Sequence, residues 1–263
     1  METGYTLSQQ QYVPLHLHTE YSLLDGAIRT TQLCEFAKEN NMPAVAITDH
    51  GVMYGALDLY IHAKDIGVKP IIGCEFYVTT GDIKDKSQNN REYFHLVLIA
   101  KNETGYKNLI KLVSIAQIDG FYYKPRINYE LLKTYHEGLI CLSACLQGEI
   151  CQTLLKKSYQ ETLEVAKFYK ELFNDDYYLE IQDHGLPDQK RTNPDIIKIG
   201  KELDIPLVIT NDSHYLKKED ANWHDTLLCI QTNSLKEDTN RFRFSNDEFY
   251  VKTVDELRES FKW

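Results

Sequence analysis

The chain has 263 residues, 43% of them hydrophobic, and a formal net charge of −10. This length suits one large α/β barrel or two small domains with a substantial core. This negative charge is unusual for a protein that binds polyanions by itself, because affinity for phosphates comes mainly from Lys and Arg.

The sequence predicts a cytoplasmic chain with no membrane partner. No stretch approaches the roughly 20 apolar residues of a membrane span, and the polar residues 1–11 lack the apolar core of a signal peptide. The cysteines are scattered without a C-x-x-C pair, which is typical of reduced thiols and argues against a structural zinc site. They are Cys34, Cys74, Cys141, Cys145, Cys151 and Cys229.

Apolar runs alternate with amphipathic stretches along the chain. The runs predict strands over 13–16, 44–48, 70–78, 94–100, 139–142, 178–181 and 206–210. The amphipathic stretches predict helices over 31–40, 54–65, 104–116, 159–173, 188–203 and 223–231, and Thr253-Val254-Asp255-Glu256 is a capping-box start to a last helix. This alternation indicates parallel strands with crossover helices, and seven strands are enough to close a barrel.

Acid and histidine motifs close four of these runs or lie within them. The motifs are His16-Leu17-His18-Thr19, Thr48-Asp49-His50-Gly51, Gly73-Cys74-Glu75 and Asn211-Asp212-Ser213-His214. In a barrel the active site lies at the carboxyl ends of the strands. Two histidines one residue apart point to opposite faces of a strand, so both can reach one site only if the chain bends there.

The donor types favour divalent cations. Imidazole, carboxylate and one thiolate suit Zn²⁺ and tolerate Mn²⁺. So many donors indicate two or three ions about 3.5–4 Å apart, an arrangement that hydrolyses phosphoesters. No nucleotide-binding glycine loop is present. His95 fits less well because it opens its run; either that strand runs the other way or His95 lies off the site.

Several other residues have two readings. His62, His136 and His224 lie in helical or loop contexts outside the motifs, which favours surface or packing roles. His184 follows a strand and is a substrate-binding candidate or part of a structural turn. Asp49 either orients a metal ligand or caps a helix.

Two segments combine aromatic and basic residues. Tyr122-Tyr123-Lys124-Pro125-Arg126 could stack nucleic-acid bases, with packing as the alternative. Arg241-Phe242-Arg243-Phe244, within an extended stretch over 241–250, is a possible DNA or interdomain contact.

The acid and histidine motifs resemble those of the PHP (polymerase and histidinol phosphatase) superfamily. Further segments resemble the N-terminal domain of bacterial replicative DNA polymerase III alpha subunits of the DnaE type, which are C-family polymerases, from about Tyr12 to Trp263. They are 20–27 (Glu-Tyr-Ser-Leu-Leu-Asp-Gly-Ala), 67–73, 95–105 and 143–149. The resemblance implies a distorted seven-stranded (β/α)7 TIM-like barrel, the PHP fold.

The resemblance also implies a ligand set for two or three metal ions, zinc or manganese. Matched one at a time, the candidate metal and catalytic residues are His16, His18, Asp25, His50, Glu75, His95, Cys145, Asp212 and His214. For Cys145 and Asp25 the match alone makes the assignment. For His95 the match favours the reading that its strand is oriented unusually.

The function that the resemblance implies is metal-dependent 3′–5′ proofreading exonuclease activity within a DNA-directed DNA polymerase, a nucleotidyltransferase. The DNA 3′ end, the remaining polymerase domains and replisome subunits are then the expected partners. The expected organisation is a tail over 1–11, a barrel domain over 12–232 and a connector towards the polymerase palm over 233–263. Two alternatives stay open: a metal-stabilised docking module without hydrolysis, and a small-molecule phosphatase.

Overall fold

A computed structural model describes residues 11–262 as one curled mixed sheet with helices packed against it. The strands are β1 Ala44–Ile47, β2 Lys69–Thr79, β3 Phe94–Ala100, β4 Phe121–Tyr122, β5 Lys124–Asn128, β6 Leu139–Leu142, β7 Tyr177–Ile181 and β8 Leu207–Ile209. The helices are α1 Thr30–Glu39, α2 Ala56–Ile66, α3 Glu103–Ile118, α4 Tyr129–Tyr135, α5 Glu149–Lys156, α6 Tyr159–Phe173, α7 Pro187–Leu203, α8 Ala221–Thr232 and α9 Val254–Ser260.

The sheet has the order β4-β5-β2-β3-β6-β7-β8, and β1 also pairs with β2. Four of the seven strand pairs are parallel; β3 is antiparallel to both β2 and β6, and β4 is antiparallel to β5. The predicted α/β class with a distorted barrel is confirmed, in the form of a curled half-barrel. The reversal of β3 brings its first residues, including His95, to the end of the sheet where its parallel neighbours finish.

The predicted first strand, 13–16, is wrong as a regular strand. The segment is extended and bends at His16. It is joined to β1 by the bond from the Ala46 amide to the Pro14 carbonyl (3.2 Å), and to the chain after β8 by the bond from the His18 amide to the Ser213 carbonyl (2.8 Å). Pro14 has no amide hydrogen, so a continuous ladder cannot form there. The segment still links the two edges of the sheet.

The predicted helices are present with ends shifted by a few residues, and α4 and α5 were missed. Side-chain oxygens cap the amino ends of several: Asn102 accepts from the Gly105 amide at α3, and Asn128 from the Leu131 amide at α4. At α9 the predicted capping box between Thr253 and Glu256 is confirmed.

The main core lies between the sheet and helices α3 to α7. Its buried members include Phe76 on β2, Leu98 on β3, Leu112 on α3 and Ile199 on α7. A smaller apolar cluster, of Val97, Ile99, Leu142 and Ala144, lies on the other face of the sheet. Within residues 11–262, no helix is long and apolar enough to cross a membrane.

Candidate metal centre

The predicted metal-ligating residues meet at one end of the curled sheet. Contacts of 3.9 Å or less connect them in one network. The members, called here the metal cluster, are His16, His18, Asp25, His50, Glu75, His95, Cys145, Asp212 and His214. Six separate segments of the chain contribute to it, so the cluster exists only in the folded chain.

Glu75 lies at the middle of the cluster, on β2, with its side chain fully buried. One carboxylate oxygen, Oε1, lies 3.2 Å from His16 Nε2 and 2.8 Å from His95 Nδ1. The other, Oε2, lies 2.5 Å from His50 Nδ1 and 3.9 Å from His18 Nε2. A single carboxylate therefore faces four imidazole rings, which is the position of a bridging group.

Asp212 contacts both histidines of the H-x-H pair. Its Oδ1 lies 3.2 Å from His16 Nε2 and 3.0 Å from His18 Nε2. Its backbone is left-handed, with φ of 44°, which an aspartate adopts more readily than most residues. The bend at His16 allows both rings to reach the same carboxylate, as the sequence requires.

Asp25 and His50 form the side of the cluster nearest solvent, and the more buried His214 lies beside them. Asp25 reaches His50 Nε2 at 3.1 Å and His214 Nε2 at 3.8 Å. The Asp25 and His50 side chains keep 21% and 15% of their surface exposed, whereas those of His16, His18 and Glu75 keep none. The cluster thus has a buried floor and an open side.

His95 and Cys145 complete the cluster. Cys145 lies in a turn closed by the bond from the Gly148 amide to the Cys145 carbonyl (2.8 Å), and Ala144 before it is left-handed, with φ of 64°. The turn is tied to β3 by the bond from the His95 amide to the Gln147 carbonyl (3.0 Å). The Cys145 Sγ consequently lies 3.7 Å from His95 Nδ1.

Burial and charge set the protonation states of the cluster. Burial alone would lower the pKa of His16, but the carboxylates of Glu180 and Asp212 outweigh it and hold that pKa well above its usual value. Burial likewise opposes a raised pKa at His50, yet Glu75 and Asp25 raise it to about 10. His18 is the opposite case, because burial and the charges of its histidine neighbours lower its pKa to about 3.

The pKa values of the carboxylates and of the thiol shift in opposite directions. Burial opposes ionisation of Glu75 and Asp212, but neighbouring histidines hold both pKa values well below the usual range. Burial, followed by the charges of Asp212 and Glu75, raises the pKa of the Cys145 thiol well above normal. Ionised carboxylates beside donor nitrogens are an environment that attracts cations, and a cation would reverse the shift of the thiol.

The buried polar atoms of the cluster are arranged as a cation site requires. Several of its atoms are buried without a hydrogen-bond partner although they face each other: His16 Nε2, Asp25 Oδ1, His50 Nε2 and Glu75 Oε1. Buried polar atoms are rarely left so, unless an ion or water completes them. Three overlapping groups have donor atoms within 4.8 Å of one another: His18, His50 and His214; His16, His18 and Glu75; and Glu75, His95 and Cys145.

Glu180, on β7, is a functional candidate that the sequence reasoning missed. Its Oε1 lies 2.6 Å from His16 Nδ1 and accepts hydrogen bonds from Gln182 Nε2 (2.9 Å) and the Thr210 hydroxyl. This contact turns His16 Nε2 towards the cluster, as carboxylates commonly do for metal-bound histidines. The available indication was a single carboxylate inside an apolar strand.

We expect Glu180→Gln to lower the affinity for Zn²⁺ by about 10- to 100-fold, the usual effect of losing a carboxylate that orients a histidine ligand. Competition with a chromogenic chelator measures this. Glu149→Gln is the matched control, because Glu149 is also buried but binds Tyr129 and Tyr169 away from the cluster. Equal zinc affinity of the Glu180 variant and wild type would contradict the expected role.

Asp49 orients the backbone beside the cluster and does not cap a helix. It accepts hydrogen bonds from the Thr19 amide (2.6 Å), the Thr19 hydroxyl (2.8 Å) and the Ser22 hydroxyl (2.6 Å). These bonds fix the turn that follows His18 and leads to Asp25. Its position supports the reading in which Asp49 orients metal ligands without binding the metal itself.

His184 lies beside the cluster, not in it. Its Nε2 contacts the Asn211 carbonyl (2.9 Å), its Nδ1 contacts Gln189 Nε2 (2.8 Å), and its ring stacks on Phe249. Burial lowers its pKa to about 4. Both ring nitrogens are occupied by the protein, and a substrate contact for His184 stays a prediction.

The segment 241–250 packs over the cluster. The ring centre of Phe244 lies 4.9 Å from that of His214, in an edge-on arrangement. Arg241 forms a two-bond ion pair with Asp225, each bond 2.6 Å, and its side chain is only 3% exposed. Arg241 therefore holds this segment against α8 and is not available to DNA in this structure.

The remaining histidines and cysteines have packing roles or lie at the surface. His224 donates from Nε2 to the Asp25 carbonyl (2.7 Å) and so supports the loop of that ligand. His62 contacts Asp58 on its own helix (3.1 Å). The cysteines other than Cys145 are buried and free.

Fold and cluster together define an α/β half-barrel protein with a candidate multi-metal centre. Residues 14–184 match the family model described as the PHP domain. The chain belongs to the PHP domain family, which confirms the resemblance inferred from the motifs.

Curated relatives extend the match over nearly the whole chain. A DNA polymerase III subunit alpha from Campylobacter jejuni is 48% identical over 262 residues, covering 95% of this chain and 22% of that protein. The protein with the same description from Treponema pallidum is 46% identical over 258 residues, covering 97% of this chain and 22% of the relative. The chain therefore spans about a fifth of the length of these relatives.

A solved structure shares the fold. A crystal structure from Bifidobacterium adolescentis, provisionally described as a metal-dependent phosphoesterase, aligns with a TM-score of 0.51 and 15% identity. The alignment covers 95% of this chain and 96% of that one. At this identity the similarity shows the architecture alone.

Proposed function

We propose that the chain is a metal-dependent phosphodiesterase that removes nucleotides from the 3′ end of DNA, as the proofreading domain of a replicative polymerase. The observation that carries the proposal is that the complete donor set converges into one cluster. Its inner side chains are buried, and its other side, at Asp25 and His50, is open to solvent. A cluster retained only for stability would not require the open side at Asp25 and His50.

The proposed role of each residue depends on its position in the cluster. Glu75, Asp212 and the buried histidines His16 and His18 would hold two or three cations, zinc or manganese. When bound, such cations supply an activated water and neutralise the charge that develops on phosphodiester oxygens. His18 is neutral and offers a lone pair directly, Glu180 orients His16, and Asp25 and His50 face the side from which a substrate enters.

The relatives suggest the setting of this activity. We propose that the chain forms one domain of a replicative DNA polymerase alpha subunit, a nucleotidyltransferase that acts in the cytoplasm. Its partners would be the DNA 3′ end, the other domains of the same polypeptide and replisome subunits. Residues 12–232 would form the catalytic domain and 233–263 the connector, part of which also covers the cluster.

A nuclease assay on single-stranded DNA tests the proposal. With Zn²⁺ or Mn²⁺ added, we expect a 3′ label to be released at once, and a 5′-labelled strand to shorten stepwise from its other end. Chelation should stop both reactions. A preparation of Asp212→Ala purified in parallel controls for contaminating nucleases.

The same assay separates the two alternatives. A chain that binds ions but leaves both strands intact would be a docking module. One that cleaves 4-nitrophenyl phosphate and leaves DNA intact would be a small-molecule phosphatase. Either result would contradict the exonuclease proposal.

A further inference from the structure

Aromatic and basic side chains form a continuous surface beside the metal cluster. The members, called here the aromatic–basic strip, are Arg91, Tyr93, Tyr123 and Lys124, with the buried Tyr77 packed beneath them. The Arg91 guanidinium lies 4.6 Å from the ring centre of Tyr123, and Lys124 Nζ lies 5.2 Å from that of Tyr77. Tyr93 packs edge-on against Tyr77 at 5.1 Å. The reaction proposed above makes no use of these residues.

The strip begins at the open side of the cluster. The Tyr77 ring lies 5.2 Å from the His95 ring and 6.3 Å from the His50 ring, between centres. A Cβ built on Gly51, next to His50, would lie 2.6 Å from Pro125 Cγ and 3.3 Å from the Tyr77 ring. The hairpin of β4 and β5 is therefore packed directly against the loop that carries His50.

Tyr123 is displayed by a strained turn. It is the only residue between β4 and β5, where Tyr122 pairs with Lys124. Its backbone is left-handed, with φ of 60°, a conformation that is costly for a bulky side chain. Its side chain is 58% exposed. Asparagine or glycine would suit the turn better, so a tyrosine here indicates a use for the ring.

Arg91 is held in place from beneath by a buried arginine. The Arg126 side chain is fully buried and donates to the carbonyls of Asn90, Ile83 (3.1 Å) and Asp85 (3.2 Å). These carbonyls belong to the polar loop that precedes Arg91. The Arg91 charge in turn faces Tyr93, where it offsets part of the rise that burial causes in the pKa of that phenol.

The two cations of the strip have no acidic partner. Among residues 11–262, no carboxylate lies within ion-pair distance of Arg91 or Lys124, whereas Lys107 and Lys133 each pair with a glutamate of their own helix. Backbone phosphates could bind these cations without breaking an ion pair.

We propose that the aromatic–basic strip binds the single-stranded nucleotides adjoining the terminal phosphodiester. Arg91 and Lys124 contact backbone phosphates, and a base stacks on Tyr123. Single strands fit better than duplex because only unpaired bases offer their faces to a ring, and two cations are few for a duplex. The inference rests on the proposed nuclease function and supplies its substrate-binding surface.

Binding of a fluorescent oligothymidylate to the metal-loaded chain, followed by anisotropy at low salt, tests the strip directly. We expect Tyr123→Asn, which suits the left-handed turn but removes the ring, to weaken binding about tenfold, or about 1.4 kcal/mol, because a base loses its stacking on the ring. Tyr123→Phe should bind as the wild type does. For the double variant Arg91→Gln/Lys124→Gln, the slope of log affinity against log salt should fall by about 1.4, or about 0.7 per lost phosphate contact.

Lys201→Gln is the charge control, because Lys201 is exposed in the last turn of α7. Unchanged binding by Tyr123→Asn and by the double variant would overturn the inference, whatever the hydrolytic activity.

Hydrolysis of bis(4-nitrophenyl) phosphate separates this inference from the proposed function, because so small a diester does not extend along the strip. Strip variants that lose DNA binding but keep this hydrolysis support both. A wild type that hydrolyses neither the small diester nor DNA, while the strip variants still lose binding, would overturn the nuclease proposal and leave the strip as a binding surface.

Discussion

Asp212→Ala and His50→Ala are each expected to abolish hydrolysis of single-stranded DNA, with a loss of at least about a thousandfold. Cations that polarise the substrate and activate water contribute several kcal/mol to such reactions, and each 1.36 kcal/mol is tenfold in rate. Asp212 faces both His16 and His18, and His50 joins Glu75 to Asp25. Either change therefore removes a donor shared by two parts of the cluster.

The same variants should melt on the order of 5 °C or more below wild type, because metal binding and folding are coupled at such sites. Differential scanning fluorimetry with and without added Zn²⁺ measures the difference. His136→Ala and Asp175→Ala are matched controls, since His136 is half-buried, Asp175 is exposed, and both lie outside the cluster. A ligand variant with the melting temperature and metal content of wild type would contradict the assignment.

Removal of the cations by chelation is expected to lower the melting temperature of the wild type by about 5–10 °C. A ligand at one hundred times its Kd stabilises by about 2.7 kcal/mol, and each kcal/mol corresponds to about 2–4 °C in a chain of this size. Without cations, buried carboxylates are balanced only by protonated histidines.

The stabilisation by metal should grow as the pH rises from about 6 to 8.5, because ligands must lose their protons to bind. In the metal-free chain the pKa of His50 is raised to about 10 and that of His16 lies well above normal. A raised pKa means that the histidine–carboxylate pairs stabilise the fold fully below the ordinary histidine pKa, and that this stability fades as pH approaches the raised value. The metal-bound chain loses no such pairs, so the gap between the two melting temperatures should widen. A gap that narrows with pH would contradict this protonation scheme.

Much of the site could be predicted because its residues follow apolar runs. A run such as 44–48 or 206–210 indicates a buried strand, and the polar residues after it must then lie at one end of the sheet. The structure brings His50 and Asp212, which follow such runs, to the same end of the sheet. Asp25 and Cys145 lie in turns with no such regularity, and only the similarity to a known family assigned them.

Strand direction could not be read from hydrophobicity, because an apolar run is the same in either direction. The run 94–100 proved to be antiparallel to its neighbours. One indication was present: no helical pattern separates 70–78 from 94–100, and antiparallel neighbours need no crossover helix. The orientation places His95 in the cluster.

Contacts between segments that are distant in the chain could not be predicted from the sequence. Glu180 reaches His16 across 164 positions, and Asp49 hydrogen-bonds the turn at Thr19 and Ser22 from another loop. Neither contact has a local pattern. The strand predicted over 13–16 was wrong because the hydrogen bonds of that segment are divided between two neighbours.

The measurement that tests the central claim most directly is the metal content of the purified chain after supplementation and removal of free ions. The cluster has more donors than one four-coordinate ion can use, and three overlapping groups of donor atoms lie within it. We therefore predict two or three zinc or manganese ions per chain by elemental analysis. Less than one ion per chain would contradict the multi-metal centre and the hydrolysis proposed for it.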